Sequence, residues 1–547
     1  MNYLHENIHH LSSVLSSYGV EDAILSPGSR NAPLTVALAR NPHIQCHSIV
    51  DERSAGFVGL GMAKASEKPV VLCCTSGTAV LNYYPAIAES FYTGVPLIVL
   101  SADRPPKLID NWDGQCIRQE MVFDNHILSS YSMPSYSDKE DCKEEIEEIL
   151  EAAIGEAIMN QGPVHINVPL REPLYSNIPE NFEFKKGEFR MQTGNQISDI
   201  PTLESTKTLI LLGADYKENN ALEPLLEEIE QEEKAVVLKD IIANKGKDSF
   251  ASYDAVLLGK NEADLQPDLL ITTGKFILSK SLKTYLRKHK PKRHFHLTES
   301  DGIIGDPFST DPEIIKGDLE ENLKNISEKL EPCKAYFSFW QSHCNKNKVA
   351  QVSFFNNSDF AEFWACYHIG LSLKKETILH LANSTTVRYF SYLKEFIKTT
   401  TVQANRGTSG IDGCTSTAVG FALAEPNKNH LLITGDVAFF YDINALWNKH
   451  FPKNLKIVLL NNQGGGIFRY IDGPNKLPEL EEFFETTHER TAKKVCEEYE
   501  IKYLHAGDKK ELEKSLEGFH DSKNSILLEV FTDRYKNEEQ FNKFKQL

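Results

Sequence analysis

Two dipeptides in the last third of the chain place oxygen ligands where a sheet would present them. Gly435-Asp436 closes the apolar run LLITGD and Asn461-Asn462 closes IVLLNN, with twenty-four residues between the pairs. Each follows a run with strand character. A parallel sheet opens its ligand crevice beyond the carboxyl ends of its strands, so an acid and an amide delivered from two strands can converge on one ion. The Asp436 carboxylate, the Asn462 amide carbonyl and the Gly464 backbone carbonyl are hard oxygen ligands. They suit Mg2+, whose remaining octahedral positions go to phosphate oxygens and water. Glycines at 464, 465 and 466 leave backbone open to the close approach of a phosphate. The expected ligand is a magnesium diphosphate, although each pair taken singly also reads as a turn dipeptide after a strand.

A second chemical position is Asp51-Glu52-Arg53, at the end of a strand-like run and at the start of the small-residue helix SAGFVGLGMAKAS. An acid there can cap the helix dipole. Held in an apolar pocket, it would instead keep a raised pKa and serve as an acid-base group.

These residues need sheets to position them. Strand-like runs alternate with helical ones at DAIL (22 to 25), HIQCHSIV (43 to 50), PVVLCCT (69 to 75), VPLIVLSA (95 to 102) and VHINVPL (164 to 170). Ile146, Ile149, Leu150, Ile154 and Ile158 make one apolar stripe amid glutamates, which predicts an amphipathic helix packed on a sheet. Residues 176 to 204 read as a linker. A second α/β region follows, with TLILLGAD, KAVVLKD, PDLLITTG and HFHLTES, and it carries neither a G-x-G-x-x-G nor a P-loop. A charged, helix-like connector spans 317 to 350. The third region alternates again through ETILHLAN, TTVQAN, HLLITGD, LKIVLLNN, IKYLHAG and SILLEVF, without detectable sequence repeats. The expected fold class is α/β, with three domains (1–180, 200–335 and 350–547), each a mostly parallel sheet flanked by helices.

With 547 residues, 41% hydrophobic and 25% charged, the chain has ordinary globular composition and is too long for one core. A net charge of −18, from 59 basic and 77 acidic residues, argues against nucleic-acid or anionic-membrane partners. An anionic substrate would therefore need a local arginine cluster. The first residues lack the pattern of a secretory signal, and Leu4, Ile8, Leu11, Leu15 and Tyr18 recur at helical spacing instead. No run reaches the ~18 apolar residues of a membrane span. The ten cysteines are scattered and read as buried free thiols in a reducing cytoplasm.

The chain resembles, along its whole length, the MenD family of thiamine diphosphate-dependent enzymes. The motifs that carry the resemblance are SPGSRNAPLT (26 to 35), DERSAGFVGLGMAKAS (51 to 66), TSGTAVLNYYPAIAES (75 to 90), SADRPP (101 to 106), NRGTSGIDG (405 to 413), GDVAFFYDINAL (435 to 446) and NNQGGGIF (461 to 468). The GD to NN element marks the superfamily, whereas SPGSR, ADRPP and NRGTSGIDG together are specific to this family. The resemblance implies pyrimidine-binding, central and diphosphate-binding domains. It implies thiamine diphosphate with Mg2+ (or Mn2+) held by Asp436, Asn462 and the Gly464 carbonyl, with Gly435 alongside. Glu52 would share a proton with the cofactor's aminopyrimidine, Ile411 would wedge beneath the cofactor, and Ser76, Gly77 and Thr78 would line its pyrimidine side.

The family decarboxylates 2-oxoglutarate and adds the succinic semialdehyde unit to isochorismate in menaquinone biosynthesis. Both substrates are dicarboxylates, and Arg30, Arg104, Arg388 and Arg406, inside or beside loops at predicted strand ends, carry the planar forks that bind carboxylates. Ser29, Gln115, Ser384, Ile467 and Phe468 match further substrate or intermediate contacts; Lys280 matches in the most divergent region. Val437 stands where many relatives have a third glycine, and Gln463 where some have a third asparagine. The implied assembly is a cytoplasmic homodimer or homotetramer with active sites between subunits. The alternative within the superfamily is another thiamine-dependent 2-oxoacid decarboxylase or carboligase, against which the four motif arginines and the absence of a His-His pair neighbouring these motifs argue. From a different class, a non-catalytic protein retaining only the fold would not require Glu52, Asp436 and Asn462.

Overall fold

A computed structural model describes residues 3–134, 141–176, 178–188, 207–214, 222–244, 248–258, 263–299, 302–398 and 401–547. The expected linker lies largely outside the described residues. The chain packs as two compact units. The first comprises Met1–Gln192, Asn405–Pro426 and Asp442–Pro452; the second comprises Thr193–Ala404, Asn427–Tyr441 and Lys453–Leu547.

In the first unit, strands β1 (Asp22–Leu25), β2 (Gln45–Ser48), β3 (Val70–Cys74), β4 (Leu97–Asp103), β5 (Ser129–Ser132) and β6 (Val164–Pro169) form one parallel sheet in the order β2-β1-β3-β4-β6-β5. The interior strands β3, β4 and β6 are buried along their whole length, which is why they read as largely apolar runs. The helices Tyr3–Ser17 and Lys143–Met159 lay their apolar stripes against one face, where Ile8, Leu11, Ile146, Leu150 and Ile154 join Val71, Ile98 and Ile166 in a single core. Also within this unit, the helix Glu52–Ser66 packs backbone to backbone on the helix Cys414–Ala424. A Cβ on Gly61 would fall 2.1 Å from the Thr417 carbonyl oxygen, and one on Gly420 would fall 1.9 Å from that of Val58. Only glycine permits so close an approach.

The second unit holds two sheets. Strands β7 (Thr208–Leu212), β8 (Val236–Lys239), β9 (Leu269–Thr273), β10 (Arg293–Thr298) and β11 (Glu313–Lys316) pair in parallel in the order β11-β10-β9-β7-β8. Strands β12 (Thr377–Leu381), β13 (Val402–Gln403), β14 (Asn429–Gly435), β15 (Leu455–Asn461), β16 (Lys502–Ala506) and β17 (Ile526–Phe531) pair in parallel in the order β13-β12-β14-β15-β17-β16. Strand for strand, this repeats the order of the first sheet. The charged connector contains the helices Leu319–Ser327 and Lys334–Asn357.

Two strands went unforeseen. SSYS (β5) and EIIK (β11) lie at sheet edges and bury few of their residues, so they carry little of the apolar signal that reveals interior strands. TTVQAN contributes a strand of only two residues. All ten cysteines are free, but Cys46, Cys116, Cys142 and Cys333 are only partly buried, which corrects the expectation that all would be interior. Among the described residues no helix is long and apolar enough to cross a membrane.

Candidate functional site

The carboxyl ends of the adjacent strands β2, β1, β3 and β4 carry the candidate residues of the first unit apart from Arg406 and Ile411. Asp51 caps the helix Glu52–Ser66 by accepting from the Arg53 and Ser54 amides, and its other oxygen accepts from Asn444 Nδ2 at 2.6 Å. The dipole-capping duty thus falls to Asp51 and leaves Glu52 free of it. Burial raises the Glu52 pKa, opposed by a hydrogen bond from its own backbone and reinforced by the Asp51 charge.

After β3, the buried hydroxyl of Ser76 has no hydrogen-bond partner among the described residues, while Thr78 is exposed. Gly77 adopts φ 87°, ψ −139° at the start of the helix Thr78–Asn82, and its amide donates to Gln119 Oε1 at 2.9 Å. Gln119, fully buried, was not foreseen from the sequence. Ser29 is exposed beside buried Arg30. The Arg30 guanidinium donates to the Leu170 carbonyl and pairs with Glu172 at 3.0 Å; burial first, and then the nearby Arg104 charge, lower its pKa. Arg104 is half-buried, and its Nε has no hydrogen-bond partner among the described residues. Gln115 is exposed with φ 55°.

The loop carrying Arg406 and Ile411 is held by a residue that sequence reading missed. Glu89, fully buried on the helix Tyr84–Thr93, accepts from the Gly407 amide at 2.8 Å, the Thr408 amide at 2.7 Å and the Thr408 hydroxyl at 2.9 Å. Asn405 donates to Thr417 Oγ1 at 2.8 Å and anchors the other end of the turn. Arg406 and Ile411 themselves are partly buried.

In the second unit, Asp436 and Asn462 stand just beyond the ends of β14 and β15, as their motif implies. Asp436 is 2% exposed. It accepts from the Val437 amide at 2.7 Å and the Gly464 amide at 3.0 Å, and burial pushes its carboxyl up to about 7. Asn462 Nδ2 donates to Glu362 Oε2 at 2.7 Å, while its Oδ1 is buried without a partner among the described residues. The Gly464 carbonyl accepts from the Gly466 amide at 3.0 Å, which occupies one of its two lone pairs. Gln463 sits at φ 64°, a left-handed conformation that asparagine adopts more readily. It is held there by its amide on Asn461 Oδ1 and by Arg534 and the His488 amide on its carbonyl. The departure from asparagine is thus accommodated. Glu362, and His488 whose Nε2 lies 3.5 Å from Asp436 Oδ2, are further members of this site that short motifs did not reveal.

Ser384 occupies φ 81°, ψ −128° at the start of the helix Thr385–Tyr392, a conformation costing an L-residue roughly 1–3 kcal/mol. Arg388 lies one turn into that helix and donates back to the Ser384 carbonyl. It thus stands in a helix beside the loop that follows β12, and burial lowers its pKa. Ile467 and Phe468 begin the short helix Ile467–Tyr470, both partly buried. Lys280 is the exposed first residue of the helix Lys280–Lys288. Its neighbour Ser279 and Ser391 of the Arg388 helix both donate to buried Asp254, at 2.5 Å each, which ties the two helices together.

Residues 7–126 match the model of the thiamine pyrophosphate enzyme N-terminal TPP binding domain, and residues 385–530 match that of the C-terminal TPP binding domain. The 2-succinyl-5-enolpyruvyl-6-hydroxy-3-cyclohexene-1-carboxylate synthase of Flavobacterium johnsoniae is 39% identical over 539 residues, 96% of each chain. This chain belongs to the 2-succinyl-5-enolpyruvyl-6-hydroxy-3-cyclohexene-1-carboxylate synthase family. Synthases of the same name from Flavobacterium psychrophilum (38% identical, covering 95% of this chain and 94% of the relative) and Cytophaga hutchinsonii (37%, 98% of each) are similarly close. As a member of this synthase family the chain is a thiamine diphosphate-dependent enzyme.

The residues present fit the cofactor and its metal. A buried amide oxygen with no partner among the described residues, at a strand end next to that of a buried carboxylate, is a donor set that suits a cation, and the Ser76 hydroxyl suits a polar ring. Among the described residues no cluster of three His, Cys, Asp or Glu side chains could hold a metal.

Proposed function

We propose that this chain decarboxylates 2-oxoglutarate and adds the resulting succinic semialdehyde unit to isochorismate, releasing CO2 and giving 2-succinyl-5-enolpyruvyl-6-hydroxy-3-cyclohexene-1-carboxylate for menaquinone biosynthesis. The observation that carries this reading is the near full-length identity with synthases bearing that product's name. Bound thiamine diphosphate supplies an electron sink for the carbanion that decarboxylation generates. The protein's own residues do the rest.

Asp436, Asn462 and the Gly464 carbonyl would hold Mg2+ or Mn2+, with Gly435 leaving room beside them. Glu52, whose raised pKa favours the protonated form, would hold the proton shared with the aminopyrimidine. Ser76, Gly77 and Thr78 would line that ring, and Ile411 would support the cofactor. Arg30, Arg104, Arg388 and Arg406 receive substrate carboxylates as bidentate forks, so a strongly acidic chain can still bind dianions. Ser29, Gln115, Lys280, Ser384, Ile467 and Phe468 complete the substrate surface. The working molecule is a cytoplasmic homodimer or homotetramer with domains 1–180, 200–335 and 350–547.

The test is a product assay with the purified chain, thiamine diphosphate and Mg2+, supplying 2-oxoglutarate and isochorismate together and singly. Formation of the named product only with both substrates supports the reading. Release of CO2 from a smaller 2-oxoacid, with no use of isochorismate, would transfer the chain to another thiamine-dependent decarboxylase or carboligase class.

A further inference from the structure

We propose that Glu362 determines which atom of Asn462 faces the cofactor's metal, and so acts as a positioning residue; this rests on the metal assignment above. An asparagine side chain is nearly symmetric in shape, yet only its oxygen is a ligand, and an inverted amide would aim two N–H donors at the cation. Something must fix the orientation.

The surroundings of Glu362 supply that constraint. Its Oε2 accepts from Asn462 Nδ2 at 2.7 Å and from Asn537 Nδ2 at 3.5 Å, and its Oε1 accepts from the Thr385 hydroxyl at 3.3 Å. With donors converging on both oxygens, the group acts as an acceptor, and an inverted Asn462 would set oxygen against oxygen at the shortest of these contacts. The remaining amide oxygen, Oδ1, is buried and has no partner among the described residues, the state expected of a ligand turned toward its ion.

Glu362 is itself held firmly. It is the first residue of the helix Glu362–Ser372, where its amide donates to Asn537 Oδ1 at 2.8 Å and the Trp364 amide donates to Gln540 Oε1 at 2.9 Å. Phe363 packs between Tyr389 and Phe544, each with ring centroids 4.7 Å away. Glu362 is 1% exposed and has no ion pair among the described residues. A buried carboxylate is costly unless charge is supplied nearby, and a divalent cation on the far side of Asn462 supplies it.

The experiment titrates Mg2+ into the full chain at fixed thiamine diphosphate, followed by calorimetry, so that binding rather than turnover is read. Glu362→Ala should weaken apparent Mg2+ affinity by about 10–100-fold, the usual cost of removing the partner that orients a ligand. Because that variant could also disturb the fold, the decisive comparison is a polarity swap. Asn462→Asp alone places two carboxylates at the 2.7 Å contact and should bind weakly. Adding Glu362→Gln lets the glutamine amide donate to the new aspartate, frees the other oxygen for the ion and should recover at least about tenfold in affinity. A double variant no tighter than Asn462→Asp would overturn the proposal. Asp436→Ala serves as the control: retained Mg2+-dependent binding there would instead remove the metal assignment itself.

Discussion

Replacing Asp436 with asparagine should stabilise the metal-free protein while abolishing its response to the cofactor. The wild-type carboxyl is 2% exposed, and burial moves it from 3.8 to about 7, with the Glu362 charge adding to the shift and the Val437 and Gly464 amides opposing it. A group raised on folding contributes its stability below its unfolded value and loses it as pH rises through the folded one. At pH 8 the ionised Asp436 therefore costs the metal-free protein about 4 kcal/mol, at about 1.4 kcal/mol per unit. Asparagine removes that charge but turns an N–H toward one of the two backbone donors, losing roughly 1–2 kcal/mol. The variant should be more stable by about 2–3 kcal/mol at pH 8, and the two effects should cancel near about pH 5. Thermal unfolding across that pH range, with and without Mg2+ and thiamine diphosphate, measures both halves. Cofactor and metal should raise the wild-type midpoint and leave the variant's unmoved. A metal-free variant less stable than wild type at pH 8 would refute the desolvation argument, and an equal cofactor-induced shift in both proteins would refute the metal assignment.

Glu52→Gln should retain cofactor yet lose turnover by ~100 to 10,000-fold, with exchange of the thiazolium C2 proton slowed in parallel; near wild-type exchange would take the acid-base role from Glu52. Alanine at Arg30, Arg104, Arg388 or Arg406 should each weaken substrate saturation by about 2–5 kcal/mol while cofactor affinity stays near normal, with lysine rescuing only in part. Unchanged kinetics in all four would point to an uncharged acceptor. Gly420→Ala forces a methyl to within 1.9 Å of the Val58 carbonyl oxygen and should lower stability by about 1–3 kcal/mol or more in chemical denaturation, whereas a neutral result would mean the two helices can separate at little cost.

The interior strands were legible because burial on both faces makes β3, β4, β14 and β15 largely apolar, and the metal motif was legible because its ligands follow two of those runs directly. The residues that orient the ligands were not. In FAEFWACYHIGL, Glu362 looks like an ordinary first-turn acid, because its partners Asn462 and Asn537 lie 100 and 175 residues away along the chain. Glu89 is hidden in the same way, its partners being over 300 residues distant. The shared strand order of the first and third sheets is a property of pairing, which sequence dissimilarity conceals. Nothing local announces that Ser384, at positive φ, starts the helix carrying Arg388 so soon after β12.

The glycine-lined seam between the helices Glu52–Ser66 and Cys414–Ala424 also bears on how the protein is made. The seam's first half leaves the ribosome about 350 residues before its second, so at ~5–20 residues per second the helix bearing Gly61 waits on the order of tens of seconds for its partner. During synthesis the N-terminal sheet exists with one helix face uncovered, and truncation anywhere before Cys414 would leave it so permanently. Fragments ending there should be captured by chaperones or aggregate, and attempts to express the N-terminal region as a free-standing module should succeed only when the segment Asn405–Pro426 is supplied with it.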